Sequence, residues 1–154
     1  MEWIEGGCHC RAVRFRVLVD TREKIAVDEC NCSMCSMVGF LHLIVPQSRF
    51  RLDAGDDVLT TYTFLTGVAQ HKFCKLCGVK SFYVPRSNPD GFSVNLRCVD
   101  RSRLPPVTIR PFDGQNWELA APALAHLSRE TPPASAARTP AIPSPGTSAT
   151  DKNE

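Results

Sequence analysis

From Ala12 to Asp20 apolar and polar side chains alternate, with Val13, Phe15, Val17 and Val19 on one face and Arg14 and Arg16 on the other. That period of two predicts a half-buried strand. Further β-like runs are Lys24 to Glu29, Val38 to Val45, Val58 to Leu65, Ala69 to Phe73, Lys80 to Val84 and Phe92 to Leu96. They are rich in Val, Phe, Tyr and Thr and are separated by Gly, Pro, Asp or Asn, as short strands joined by turns require. Asn116 to Leu127 alone has helical spacing, with Asn116 as a candidate cap and Pro122 as an obstacle. The pattern predicts a mainly β domain with long connecting loops and at most one short C-terminal helix.

From about Pro132 onward Pro, Ala, Ser and Thr take over, and Ile142 is the one large apolar residue. Such a segment buries too little apolar surface to offset the entropy of ordering it. The expected division is a single domain over residues 1–127 and a disordered Pro/Ala/Ser/Thr-rich tail over 128–154. With 154 residues, 43% of them apolar, there is room for one modest core. The net charge of +2 is too small for the electrostatic footprint of nucleic-acid binding. Met1 to Gly7 has no signal-like apolar core, and no apolar run reaches the length of a membrane span, so neither a membrane nor a nucleic acid is an expected partner. A cytoplasmic location is expected, where thiols stay reduced and clustered cysteines mean metal or catalysis.

Seven of the eight cysteines fall in three clusters: Cys8 and Cys10; Cys30, Cys32 and Cys35; Cys74 and Cys77. Each has a chelating spacing, and Gly78 suits the positive φ that a Cys-x-x-Cys turn often needs. Zinc takes four ligands in a tetrahedron, so Cys8, Cys10, Cys74 and Cys77 would complete one closed, structural site. Cys30, Cys32 and Cys35 then offer three thiolates to a second zinc with an open fourth position, the arrangement of catalytic sites. Two zinc ions per chain are expected. Pairwise disulfides would need an oxidising compartment, whereas an iron–sulfur cluster would use the same soft ligands and stays open at this stage. Cys98, isolated on a β-like run, reads as a small buried residue.

These motifs have a familiar order. Gly6-Gly7-Cys8-His9-Cys10-x-x-Val13-x-Phe15, Cys30-Asn31-Cys32-Ser33-x-Cys35 and Phe73-Cys74-x-x-Cys77-Gly78 resemble the glutathione-dependent formaldehyde-activating enzyme family. Tyr62-Thr63-Phe64, Gln70-His71-Lys72-Phe73 and the run Phe82 to Pro89 are similar to its centromere protein V-like branch. The likeness spans about Ile4 to Trp117. It implies a small zinc-binding β fold of the Mss-like kind, a structural zinc on Cys8, Cys10, Cys74 and Cys77, and a second zinc on Cys30, Cys32 and Cys35. The activity it implies is that of a carbon–sulfur lyase, condensing glutathione with formaldehyde to S-hydroxymethylglutathione. No long basic extension precedes the motifs, so a chromosomal role is not expected.

Glutathione or a related thiol would want cations near the second zinc, and Lys72 and Arg86 are the candidates by position. His9 should point away from its zinc, since both flanking sulfurs are committed. His42 and His71 could each reach the open zinc or act as acid or base, against the ordinary alternative of a buried, hydrogen-bonded imidazole. Ser33 and Ser36 are candidate donors to the thiolates. The competing function is a non-catalytic zinc scaffold that presents a surface to protein partners.

Overall fold

The structure, a computed structural model, describes residues 1–130. The mainly β expectation is met, with ten strands in three sheets among the described residues. Strands β1 (Glu2–Gly7), β2 (Arg14–Val19) and β5 (Phe50–Ala54) form an antiparallel sheet in the order β1-β2-β5. A second sheet has the order β10-β3-β4-β9-β8, from β3 (Ile25–Cys30), β4 (Leu41–Pro46), β8 (Phe82–Tyr83), β9 (Gly91–Asn95) and β10 (Val107–Phe112). Its β10 edge runs parallel to β3; the other pairings are antiparallel. A two-stranded ribbon, β6 (Leu59–Tyr62) with β7 (His71–Cys74), completes the set.

The alternation in β2 does what its sequence demands: Phe15, Val17 and Val19 are buried while Arg14 is exposed. Phe15 stacks on Phe50 at 5.4 Å and meets the edge of Phe82 at 5.8 Å, joining the first sheet to the second. Ile4, Val27, Leu41, Leu43, Val45 and Val94 belong to the same core.

Strand β4 lies inside its sheet and is buried along its whole length. Successive side chains of a strand point to opposite faces, so Leu41, Leu43 and Val45 enter the core while His42 and Ile44 line a cavity on the other side. Asp28 of β3 is paired directly with His42. Cys30, two residues beyond Asp28, therefore shares the cavity face with His42 as a diagonal cross-strand neighbour.

Among the described residues there are two α-helices. The expected one is cut short: α2 covers Trp117–Ala120 and tightens into a 3-10 turn over Ala121–Leu124, where Pro122 removes a backbone donor. Asn116 makes no side-chain cap and donates instead to Asp113 at 2.7 Å. The other, α1 (Ser33–Val38), was not expected and is built by the cysteine triplet. Cys32 is its N-cap, accepting from the Cys35 amide on Sγ, and Gly39 ends it in the left-handed conformation at φ 57°.

Residues 128–130, which composition assigned to the tail, are described: buried Ser128 accepts from Asn88 at 2.9 Å and donates to Asp90 at 2.7 Å. The rest of the expected tail, 131–154, lies outside the described residues. Among the described residues no helix is long and apolar enough to cross a membrane.

Candidate metal centre

The turn between β1 and β2 carries Cys8 and Cys10; β7 ends at Cys74, and Cys77 lies in the turn that follows. The Cys8 and Cys10 sulfurs are 3.5 Å apart, Cys10 and Cys74 are 3.7 Å apart, and all four sulfurs lie within 4.8 Å of one another. Four thiolates held at about 2.3 Å in a tetrahedron stand roughly 3.8 Å apart, so the set fits a single ion. All eight cysteines are free thiols. The Val13 amide donates to Cys8 Sγ at 3.3 Å, and Gly78 takes the positive φ of 74° that the turn requires.

Electrostatics point the same way. The backbone amides of Cys10 and Val79 draw the Cys77 thiol down to about 6. At Cys10 the Ala12 amide favours the thiolate, yet the Cys8 thiol, desolvation and the Cys77 and Cys74 thiols together push it up to about 12. So many adjacent sulfurs cannot all carry charge unaided, and a bound cation removes the conflict.

The second cluster forms at the end of β3 and in the first turn of α1. The Cys32 amide donates to Cys30 Sγ and the Cys35 amide to Cys32 Sγ, both at 3.5 Å. Hydrogen bonding to Cys30 and Cys35 holds the Cys32 thiol far below its ordinary value, while the Cys30 and Cys32 sulfurs and burial drive Cys35 far above. The three expected thiols are thus neighbours. A second kind of ligand joins them: Cys30, Cys35 and His42 place their possible ligand atoms within 4.8 Å of one another. Gly114, just beyond β10, packs so closely on this cluster that a Cβ there would run into Cys30 Sγ.

The cluster lies in the wall of a cavity of about 760 Å³. Its lining is largely apolar and aromatic, with Phe64, Tyr83, Phe112, Trp117 and Leu124 among the residues, and is joined by His42, His71 and Arg86. Arg86 stacks over the Trp117 ring at 3.8 Å and pairs with Glu118 at 2.5 Å. His71 stacks between Tyr83 and Phe64, at 5.0 and 5.2 Å. The buried ammonium of Lys80 donates to His71 Nδ1 at 2.7 Å. Burial pulls Lys80 down to about 8, opposed by the thiolates of Cys35, Cys32 and Cys30. Burial, aided by the Lys80 charge, lowers both His42 and His71 to about 4, so both rings are neutral at pH 7.

Other expectations divide. His9 is exposed, as its place between two committed sulfurs implied. Cys98 is half-buried against the core and stands outside both clusters; burial raises its thiol to about 11, with Cys8 and Cys77 adding to it. Lys72 donates to Thr61 at 3.4 Å and does not line the cavity, whereas Arg86 does. Among the described residues neither Ser33 nor Ser36 bonds to a sulfur; the backbone amides of the triplet supply those donors. Sequence reasoning passed over Lys80, Tyr83, Ser93 and Gly114. Only the tertiary fold brings these to the cluster; Lys80, Tyr83 and Ser93 lie in predicted strands, and Gly114 lies in none.

The fold is a small β protein of three sheets with two clustered sets of thiols, one joining distant segments and one facing a cavity, and each cluster has the donors to hold a metal ion. The family model for the glutathione-dependent formaldehyde-activating enzyme matches residues 3–114, and the chain belongs to that family. It is also similar to a Rhodobacter sphaeroides protein of known crystal structure, at 33% identity and a TM-score of 0.56. That match covers 68% of this chain and 99% of the other.

Proposed function

We propose that the protein is a zinc-dependent carbon–sulfur lyase acting on a glutathione adduct or a related thiol adduct. Zinc 1 would be structural on Cys8, Cys10, Cys74 and Cys77, and zinc 2 would sit on the Cys30, Cys32 and Cys35 segment. The observation that carries this reading is the unequal setting of the clusters: the second lines a cavity large enough for a small substrate, and the first does not. Family membership supports the substrate class, and the likeness of Tyr62-Thr63-Phe64, Gln70-His71-Lys72-Phe73 and Phe82 to Pro89 to the centromere protein V-like branch supports that branch. A cytoplasmic setting would keep the thiols reduced.

Zinc bound there would stabilise a substrate sulfur as thiolate and polarise an aldehyde oxygen. The chain's own residues do the rest. The aromatic walls would shield the reacting atoms from bulk water. Because Lys80 donates to His71 Nδ1, the neutral ring carries its proton on Nε2, a buried donor without a partner. That N–H suits an oxygen on which charge develops as the carbon–sulfur bond forms. In the condensation the thiol sulfur bonds to the aldehyde carbon and the thiol proton ends on the new hydroxyl oxygen, with no change of oxidation state. Arg86, held flat on Trp117, is placed to meet a substrate carboxylate by exchanging its contact with Glu118.

The test is adduct formation from glutathione and formaldehyde, followed against the appreciable spontaneous reaction. The expected result is a clear acceleration that disappears when the metal is stripped. No acceleration with several thiols and aldehydes, from protein that keeps both metals, would overturn the enzyme reading in favour of a zinc scaffold for protein interaction.

A further inference from the structure

The cavity wall contains a buried polar atom that nothing in the fold explains. His42 is 6% exposed, its Nδ1 lies 3.0 Å from Ser93 Oγ and 3.4 Å from the Tyr83 hydroxyl, and its Nε2 has no hydrogen-bond partner. An imidazole nitrogen sealed from water without a partner costs about 1–3 kcal/mol, so such an atom calls for an occupant. The sulfurs of Cys30 and Cys35 are the nearby candidates, since both lie within 4.8 Å of a ring nitrogen of His42 and of each other, and Nδ1 is already taken by Ser93. His71 has an equally solitary Nε2 but does not join that grouping.

We infer that His42, through Nε2, is a protein ligand of the second metal together with Cys30 and Cys35. This rests on the reading that the triplet segment holds a metal, and it changes the character of the site. The arrangement is what metal-binding histidines show: one nitrogen is free for the ion while the other is fixed by a neighbouring oxygen that sets tautomer and ring orientation. Ser93 Oγ fills that second role by accepting from Nδ1–H. The strand register explains the placement, since the pairing of Asp28 with His42 puts Cys30 diagonally across from the ring.

Two thiolates and a neutral imidazole leave a divalent ion with no net charge, where three thiolates alone would leave it at about −1. That makes the ion a better Lewis acid and a better acceptor of a further thiolate. The Cys2His set is also one that catalytic zinc sites use with a fourth position free for exchange. Cys32, half-exposed on the cavity wall beside Cys30 and Cys35, is the thiol that an entering substrate sulfur would displace from that fourth position.

The experiment loads the full chain with two equivalents of cadmium-113 and records proton–cadmium correlation spectra. One cadmium should correlate only with cysteine β protons; the other should also correlate with the ring protons of a single histidine. His42→Gln should abolish the ring correlation, leave the first cadmium unchanged and release the second zinc to a chelator at least about tenfold more readily. Ser93→Ala, a milder change, should weaken the second site in the same direction and serves if His42→Gln does not fold. A second cadmium with cysteine correlations alone, a ring correlation that belongs to His71, or uptake of a single cadmium would each overturn the inference. The readout is coordination, not turnover, so a ring correlation in a protein without lyase activity would sink the enzyme reading and leave this one standing.

Discussion

Replacing Cys74 by serine is expected to leave the chain insoluble or grossly destabilised. Cys10 and Cys74 are 64 residues apart, and an ion between them ties the first hairpin to the β6–β7 ribbon across that loop. A structural zinc site contributes about 10–16 kcal/mol of folding free energy. The whole net stability of a domain is about 5–15 kcal/mol, so losing the site removes most or all of it. Cys74 is also fully buried, and a serine there would place a hydroxyl among three remaining thiols. Solubility and thermal unfolding of the variant check this; an unchanged melting temperature would show that the four cysteines do not share a structural ion.

Cys35→Ser should have the opposite profile, with chemistry lost and the fold retained. The six residues from Cys30 to Cys35 form a local chelate at the start of α1, so an ion there closes no long loop. The variant should bind one metal where the wild type binds two and should bring adduct formation down to the spontaneous rate. Its far-ultraviolet circular dichroism should stay native, with a melting temperature reduced far less than in Cys74→Ser. A variant that keeps two metals, or keeps the catalytic increment, would contradict the role given to this segment.

Much of this arrangement could be read from the chain, for definite reasons. The strands facing the core announced themselves where a polar and an apolar face alternate, as in β2, and the cysteine spacings are local geometry that any fold must respect. Three strands were missed because they lack that contrast. β1 buries Ile4 and Gly6, and apart from Trp3 the rest is glutamate and glycine; β5 has Phe50 as its one buried side chain. β10 is largely exposed and contains Pro111, which a sheet tolerates at an edge such as this one. Helix α1 is set by sulfur capping and Gly39, so no amphipathic period marks it. The chemistry of His42, and the presence of Lys80, Ser93 and Gly114 around the second cluster, depend on strand register and on the parallel β10 crossing beside β3. Those pairings are long-range, and one-residue slips would turn each side chain to the other face.

Two metal sites per chain, filled by zinc, underlie every role proposed for these cysteines. Elemental analysis of full-length protein purified without chelator, joined to its visible absorption spectrum, addresses that directly. Two zinc per chain with negligible iron and no visible band is the predicted result. One zinc or none, or iron with the broad absorption of an iron–sulfur cluster, would contradict it.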